Sequence, residues 1–283
     1  MLKLRTDRMA SVYFFHPLRQ RYTRGGQSGV PILMYHSISE RNGKRSHPYY
    51  ETETSGRIFE QHLRFLQKNN FSILPLGEAV KRAESGERST SREVVITFDD
   101  GYRDFYTRAF PLLQEYGGTA TVYLPSASIG DTAREFRGKQ CLTWAEVREL
   151  HRAGIEFGSH SVSHPQLQFV SPEALDSEVR CSKETIENQL GGTVHSFSYP
   201  FAFPEVDSEF KKRLRGLLVK YGYENGVSTI LGTAGPADDR FFLKRLPINS
   251  WDDRQLFKAK LEGGYDWLHG VQYIVKVVKS QVE

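Results

Sequence analysis

The fold is indicated most clearly by the segment Glu93-Val94-Val95-Ile96-Thr97-Phe98, which Asp99-Asp100-Gly101 follows directly. The nearly unbroken run of β-branched and apolar residues predicts a strand buried on both faces, as in a parallel sheet. Neighbouring side chains point to opposite faces within a strand, but the chain leaves the sheet at its carboxyl end. Asp99 and Asp100 are therefore able to turn toward one ion. Taken alone, Asp-Asp-Gly is as typical of an ordinary turn as of a functional site.

Two further segments give this acidic pair a chemical context. Gly154-Ile155-Glu156-Phe157-Gly158 predicts a second strand, which His160 and His164 follow. Their four-residue spacing predicts a helical turn with both imidazoles on one side, ended by Pro165. One carboxylate and two imidazoles are a full protein ligand set for a catalytic cation of the Zn²⁺ type, with one position left open. The other carboxylate is then free to act as a base, so the sequence predicts a hydrolase.

The three motifs together resemble those of a known family. Thr97-Phe98-Asp99-Asp100-Gly101, His160-Ser161-Val162-Ser163-His164 and the aromatic-Pro motif Ser198-Tyr199-Pro200-Phe201 are similar to the motifs of the polysaccharide deacetylases. This family is also called the NodB-homology group or carbohydrate esterase family 4. The resemblance implies an α/β fold, an irregular (β/α) barrel of seven or eight strands. It also implies hydrolysis of an N-acetyl group, less often an O-acetyl group, on an amino-sugar polysaccharide or glycoconjugate.

The resemblance also implies roles for individual residues. Asp99 is expected to be the catalytic base, and Asp100, His160 and His164 are expected to bind a divalent metal. Zn²⁺ is the first expectation, with Co²⁺, Ni²⁺ or Fe²⁺ as alternatives. At Tyr199 the resemblance implies a backbone N–H that helps to hold the oxyanion.

The chain departs from the family pattern at two positions. Many members have Arg-Pro where this chain has Tyr199-Pro200, and we expect Arg245 to replace that arginine. Many also carry a late histidine as general acid, whereas the only histidine after residue 200 is His269. The apolar run 30–36 ends in His36 and resembles a segment of a permuted branch that includes poly-N-acetylglucosamine deacetylases. We therefore predict His36 as the acid, the alternative being a buried histidine that caps a strand. Asp252 or Asp253 is a candidate to keep it charged, although surface charge is the simpler interpretation of Asp253.

Alternating strand and helix patterns agree with a barrel. Strands are predicted at 30–36, 71–75, 93–98, 119–125, 155–159, 194–199, 223–229 and 243–248. Helices are predicted at 57–69, 171–190 and 211–221, and loops at 37–56 and 126–141. Such alternation favours a parallel sheet with its active site at the carboxyl ends of the strands. We predict a basic N-terminal extension, 1–29, and one barrel domain, 30–283.

Composition narrows the function classes. The chain has 283 residues, 39% hydrophobic and 25% charged, with a net charge of +4. Because its cations are spread among 34 acids, no nucleic-acid partner is predicted. Neither a secretory h-region nor a transmembrane run is visible, so we expect a cytoplasmic protein whose basic segment associates at most peripherally with a membrane. Cys141 and Cys181 are predicted to be free thiols.

The expected partner is an N-acetylated carbohydrate. Sugars stack their apolar faces on aromatic rings, so Tyr35, Tyr102 and Trp251, at or near predicted strand ends, are candidate substrate-binding residues, together with Pro200 of the third motif. Two alternatives remain open: hydrolysis of another non-peptide C–N amide on the same fold, and a catalytically inactive carbohydrate-binding homologue.

Overall fold

A closed parallel barrel forms the centre of the molecule. A computed structural model describes residues 5–23, 29–40, 48–85 and 92–280. The seven barrel strands follow one another in the order β1, β12, β11, β10, β9, β6 and β5, and β1 pairs with β5 to close the ring. Their bounds are β1 (Ile32–Tyr35), β5 (Arg92–Phe98), β6 (Thr121–Leu124), β9 (Glu156–Ser159), β10 (Ser196–Ser198), β11 (Asn225–Leu231) and β12 (Leu243–Pro247). The predicted (β/α) barrel is confirmed.

An eighth strand lies beside the start of β5. β4 (Phe71–Ile73) pairs with Arg92–Val94, whereas β1 pairs with the second half of the same strand, Val95–Phe98. The length of β5 thus allows two strands to share one edge. Each of the eight predicted strands is present, with shifts of at most two residues at their ends.

Short strands and helices complete the described chain. β2 (Ser37–Ile38) pairs with β3 (Glu53–Thr54), and β7 (Glu135–Phe136) pairs with β8 (Lys139–Gln140) as a hairpin. The loop predicted at 126–141 therefore contains a hairpin, and 41–47 of the predicted 37–56 loop lie outside the described residues. The helices are α1 (Thr6–Ala10), α2 (His16–Thr23), α3 (Gly56–Lys68), α4 (Leu76–Ser85), α5 (Phe110–Glu115), α6 (Trp144–Arg152), α7 (Pro172–Leu190), α8 (Ser208–Lys220), α9 (Arg254–Leu261) and α10 (Trp267–Ser280), with a π-helical turn at Ser11–Phe15 joining α1 to α2.

The predicted helices begin and end for identifiable reasons. The Ser171 hydroxyl accepts a hydrogen bond from the Ala174 N–H at the start of α7, and Gly191 ends that helix with a φ of 67°. α8 begins three residues before its predicted start because Asp207 caps it through the N–H of Phe210. These caps fix where each helix leaves the barrel wall.

Alternation along the strands separates two apolar layers. Ile32, Val95 and Leu243 belong to one cluster with Tyr123, inside the barrel. Leu33, Ile96 and Leu246 belong to a second cluster that packs against helical residues such as Phe59. Because side chains alternate between faces, Asp99 and Arg245 have the same parity as the interior residues Val95 and Leu243. They therefore point into the barrel at its carboxyl end.

The N-terminal helices pack against the C-terminal ones. Phe15 stacks on Trp267 with 4.7 Å between ring centroids, and the Trp267 indole N–H donates to Ser11 at 3.0 Å. The Tyr265 hydroxyl donates to Asp7. The predicted division into an extension 1–29 and a domain 30–283 stays a prediction. No helix in the described ranges has the length and apolar character to cross a membrane.

Candidate metal centre and active site

Asp100, His160 and His164 meet at the carboxyl ends of β5 and β9. Oδ1 of Asp100 lies 3.6 Å from Nε2 of His160 and 3.4 Å from Nε2 of His164, and all three residues are buried. Their potential ligand atoms lie within 4.8 Å of one another. Asp100 reaches this position from a left-handed backbone conformation, φ 71°, which Gly101 continues at φ 60°. The acidic turn is therefore shaped to aim one carboxylate at the two imidazoles.

The two histidines do not lie on a helical turn, and that prediction is wrong. Residues 160–164 form an irregular loop, with Ser161 at φ 63° and His164 at φ 57°. Glu178 of α7 holds the loop by accepting the N–H groups of Val162 at 2.7 Å and Ser163 at 2.9 Å. The imidazoles converge because this loop turns back over Asp100.

The donor set fits a divalent cation. Oδ1 of Asp100 is buried and has no hydrogen-bond partner among the described residues, which is costly unless another group engages it. Nδ1 of His160 lies 2.8 Å from the carbonyl oxygen of Ser198, so donation there leaves the lone pair on Nε2, toward Asp100. Burial, the largest effect, lowers the pKa of His160 to about 4, so this imidazole is neutral at pH 7. Two imidazole nitrogens and one carboxylate oxygen are the ligands that Zn²⁺-type sites use.

His164 has a different neighbour on its second nitrogen. Arg137, in the turn of the β7–β8 hairpin, places Nη2 3.2 Å from Nδ1 of His164. Its guanidinium also lies over the rings of Phe136 at 5.0 Å and Phe201 at 4.8 Å. An imidazole that accepts at Nδ1 carries its proton on Nε2. Arg137 thus contacts the nitrogen of His164 other than the one that lies near Asp100.

Asp99 forms a buried ion pair with Arg245. Nη1 donates to Oδ1 at 2.8 Å and Nη2 donates to Oδ2 at 2.7 Å, and Arg245 is fully buried. Nε of Arg245 donates to the carbonyl of Ser228 at 2.9 Å, and the Ser198 hydroxyl donates to Oδ1 of Asp99 at 3.2 Å. This bidentate geometry fixes both the position and the rotation of the carboxylate.

The two carboxyl groups are both ionised by their surroundings. Burial alone would raise the pKa of Asp99, but the charge of the adjacent Arg245 guanidinium outweighs it and lowers the pKa. Burial also opposes ionisation of Asp100, but its interactions with His164 and His36 lower its pKa further than burial raises it. His36 directly follows β1, is half-buried, and contributes to both shifts. His36 therefore lies within electrostatic range of both carboxylates.

Tyr35 does not lie in the site, and its prediction as a substrate-binding residue is wrong. Its side chain is 1% exposed, its hydroxyl lies 3.0 Å from Nδ1 of His62, and its ring packs against Phe59 and Phe98. The reason is the alternation of β1, in which Tyr35 faces the helices and His36 faces the barrel mouth.

Tyr199 is also not available for its predicted role. Its backbone N–H donates to the carbonyl of Val227 at 3.0 Å as part of the sheet. Its ring is buried against Phe203 and Phe210. Asp252 is equally engaged, because Lys260 binds its carboxylate at 2.8 and 2.9 Å in a buried ion pair. Asp253 caps α9 and pairs with Arg8 at the surface.

Three of the predicted contact residues remain near the mouth of the barrel. Tyr102 is nearly buried, and burial followed by the charge of Asp100 raises its phenol pKa. Pro200 is buried next to Phe201. Trp251, in the loop after β12, is 41% exposed. Of these, Trp251 presents the largest accessible ring.

Sequence reasoning included Ser198 and Phe201 in the third motif without giving them a role, and it missed Arg137. Ser198 ends β10 with interior parity, a signal that strand alternation could have supplied. The Phe201 ring contacts His164, with 4.6 Å between centroids. A cleft of about 960 Å³ is lined among others by Gln166, Phe169, Phe203 and Val271. The sequence gives no signal for this cleft, because it lies between α10 and loops that are distant along the chain.

The parallel barrel, the Asp-His-His cluster and the separate ionised carboxylate define a cation-dependent hydrolase. Comparison with known proteins makes the class narrower. The family model described as Polysaccharide deacetylase matches residues 86–226. YxkH of Bacillus subtilis, whose name assigns it to the polysaccharide deacetylases, is 30% identical over 233 residues, which are 82% of this chain and 76% of that protein. The chain belongs to the polysaccharide deacetylase family.

Two further relatives agree with this family. The poly-beta-1,6-N-acetyl-D-glucosamine N-deacetylase of Staphylococcus aureus is 22% identical over 240 residues, covering 79% of this chain and 80% of that protein. The structure of Streptococcus pyogenes deacetylase PplD in complex with acetate matches with a TM-score of 0.70 at 25% identity, covering 83% of this chain and 98% of that chain. The predicted family, fold and enzyme class are confirmed.

Proposed function

We propose that this protein removes the N-acetyl group from an amino sugar of a polymer or glycoconjugate related to poly-β-1,6-N-acetylglucosamine. The observation that carries the proposal is the ionised carboxylate of Asp99, held by Arg245 beside the Asp100-His160-His164 cluster. A binding protein would have no need to keep a second buried carboxylate charged next to a cation site. The named activity of the Staphylococcus aureus relative supports the choice of sugar.

Asp100, His160 and His164 would hold the cation, and we propose Zn²⁺ because two imidazoles and one carboxylate suit it. Co²⁺, Ni²⁺ and Fe²⁺ are the alternatives. When bound, such a cation supplies Lewis acidity, which polarises a carbonyl and makes water more acidic.

Asp99 acts as the proton acceptor. Its Oδ1 already accepts from Arg245 and Ser198, whereas Oδ2 accepts from Arg245 alone among the described residues. Oδ2 therefore keeps a lone pair for the proton of the attacking water. Arg245 stabilises the ionised form and prevents rotation of the carboxylate, so the acceptor atom stays in place.

His36 is the proposed proton donor to the leaving nitrogen. An amine leaves poorly until it is protonated, and an imidazole titrates near physiological pH. His36 directly follows β1 and lies within electrostatic range of Asp99 and Asp100, whose pKa values it helps to lower. Its place directly after β1 puts it across the barrel mouth from His160, which directly follows β9.

The oxyanion donor is assigned to Phe201 instead of Tyr199. The Tyr199 N–H is bonded within the sheet and Pro200 has none, so Phe201 carries the next N–H along the loop. Phe201 adopts a left-handed conformation, φ 60°, and its ring contacts His164. Loss of one such donor typically costs about 10²–10³ in rate. The proposed sugar contacts are Trp251, Tyr102 and Pro200. The cytoplasmic location of the protein stays a prediction.

Acetate release tests the proposal. Purified protein is given β-1,6-linked N-acetylglucosamine oligomers, chitooligosaccharides and a simple N-acetyl amide, each with Zn²⁺ and then with a chelator. We expect cation-dependent acetate from a sugar, abolished in Asp99→Asn and kept in Asp131→Asn, an exposed carboxylate. Release from the simple amide only would favour another C–N hydrolase. Sugar binding without acetate under any cation would favour a binding protein.

A further inference from the structure

Exposed apolar side chains are concentrated on two helical segments. Of the fourteen large hydrophobic residues that are exposed in the described ranges, ten lie within residues 6–23 or on α10. These ten are Met9, Tyr13, Phe14, Leu18, Tyr22, Val271, Tyr273, Ile274, Val275 and Val278. Soluble proteins rarely leave so many large apolar groups together in water unless the surface binds something.

The two segments form one continuous layer. Trp267, at the start of α10, stacks on Phe15 and bonds Ser11, while Arg19 pairs with Asp266 at 2.8 Å. Phe14, Leu18 and Tyr22 recur every four residues, and Val271, Ile274, Val275 and Val278 have the i, i+3, i+4, i+7 spacing of one helix face. Each helix buries one side against the protein and presents an apolar stripe to solvent. We call this layer the two-helix face.

The charges of the two-helix face are predominantly positive. Residues 5–23 and 267–280 contain six lysines and arginines and one acid, Asp7. Acids neutralise much of this charge, since Arg5 pairs with Asp7, Arg8 with Asp253, Arg19 with Asp266 and Lys276 with Glu205. Arg21 is exposed and has no ion-pair partner among the described residues. The excess charge is therefore available to an anionic surface.

We propose that the two-helix face docks on the surface of an anionic lipid bilayer. Aromatic and aliphatic side chains flanked by arginine and lysine are the composition of helices that lie in the membrane interface. Tyr13, Tyr22 and Tyr273 have apolar rings with polar tips, which suit the boundary between headgroups and acyl chains. Neither helix needs to cross the bilayer for this contact.

A second copy of the chain is a poorer occupant. A twofold contact would set this face against itself, and the excess positive charges would then oppose each other. A lipid surface with anionic headgroups complements those charges. The face also adjoins a large cleft, because Val271 and Val275 of α10 line it together with Gln166, two residues beyond His164. Docking would bring the mouth of the cleft close to the membrane, whatever the substrate is.

Vesicle co-sedimentation tests the docking. The full chain is mixed with phosphatidylcholine vesicles that contain or lack 30% (about a third) phosphatidylglycerol. We expect the protein to sediment with the anionic vesicles, and the bound fraction should decrease as salt is added. In the double variant Phe14→Ser, Ile274→Ser the affinity for these vesicles should fall at least about 10-fold. Val219→Ser removes an exposed apolar residue of α8, 59% exposed, and is the matched control that should bind normally.

Charge is tested separately. Arg21→Glu should weaken binding to the anionic vesicles, whereas Arg213→Glu on the exposed side of α8 should not. Thermal unfolding and acetate release from a short oligomer should be unchanged in all variants, which separates docking from folding and from catalysis. No sedimentation with anionic vesicles, equal binding by the double variant, or a lipid-free dimer that the double variant abolishes would each overturn the proposal.

Discussion

Replacing Arg245 by methionine is the sharpest test of how this site works. Methionine is similar in length but cannot donate, so Asp99 loses two hydrogen bonds of 2.8 and 2.7 Å and its counter-charge in a fully buried place. Removing one partner of a buried pair typically costs about 3–5 kcal/mol, because the other charge is left uncompensated. For a chain of this size, about 2 °C per kcal/mol gives a fall in Tm of roughly 6–10 °C.

The same change reverses the balance that ionises Asp99. Burial raises the pKa of this carboxyl and the charge of Arg245 lowers it, so without Arg245 the pKa rises. The acid limb of the pH profile of kcat/KM should move to higher pH, and the rate at neutral pH should fall by about 10²-fold, within the range that general bases contribute. Acetate release between pH 5 and 9 and thermal unfolding measure the two effects.

Two further variants make this test decisive. Arg245→Lys keeps the charge but loses the bidentate contact, so it should recover much of the pH profile and less of the rate. Arg240→Met removes a half-exposed arginine that pairs with Glu84, and it should leave the pH profile unchanged. An unshifted acid limb in Arg245→Met, with the protein folded, would refute the role of this ion pair.

Three other predictions concern the cation, acid stability and thiol reactivity. Zn²⁺ at 100 times its Kd should stabilise the protein by about 2.7 kcal/mol in thermal unfolding, and Asp100→Ala should lose this gain. Burial lowers the pKa of His62 from 6.5 to about 4, so the unfolded chain binds this proton more readily than the folded protein. The free energy of unfolding should therefore fall as the pH drops from 6.5 to about 4, by at most about 3 kcal/mol. Unfolding of His62→Gln should depend less on pH. Burial raises the pKa of Cys141 to about 12, so mass spectrometry should find this thiol unalkylated at pH 8 until the protein unfolds.

Each of these has its own control. Asp131→Asn should keep the stabilisation by Zn²⁺, and loss of it there would point to a nonspecific effect. His195→Gln, at a half-exposed position, should leave the acid sensitivity as it is. Cys181 is less buried and should be alkylated first; labelling of Cys141 at the same rate would contradict its burial.

The barrel and the cation cluster could be predicted because their signals are local. Val94–Phe98 is a run of buried strand residues, and Asp100, His160 and His164 stand directly behind strands, where a parallel barrel gathers its functional groups. Arg245 was a candidate because it belongs to a strand near the end of the chain. Its bidentate contact with Asp99 confirms that the two side chains meet, and it depends on both having interior parity.

The predictions that were wrong concern features that depend on the local backbone conformation. A four-residue spacing predicts a helical turn, but left-handed residues at Ser161 and His164 replace it with a loop. Tyr35 lies next to His36 in sequence, yet alternation sends the two side chains to opposite faces of β1. The Tyr199 N–H was assigned to an oxyanion, whereas the sheet extends one residue further and takes it. None of these features has a signature in residue type alone.

The way the barrel closes has a consequence for how the protein must be made. β1 pairs with β12 through Leu33 and Leu246, partners more than two hundred positions apart, and proposed groups for catalysis come from both strands. During synthesis His36 emerges early and Arg245 near the end. Asp99 is therefore made long before Arg245, the residue that balances its charge. A fragment that contains only residues 86–226, the part matched by the family model, would lack both β1 and β12 and would leave two sheet edges open. The most recognisable part of this chain is thus unsuited to stand alone as a minimal fragment.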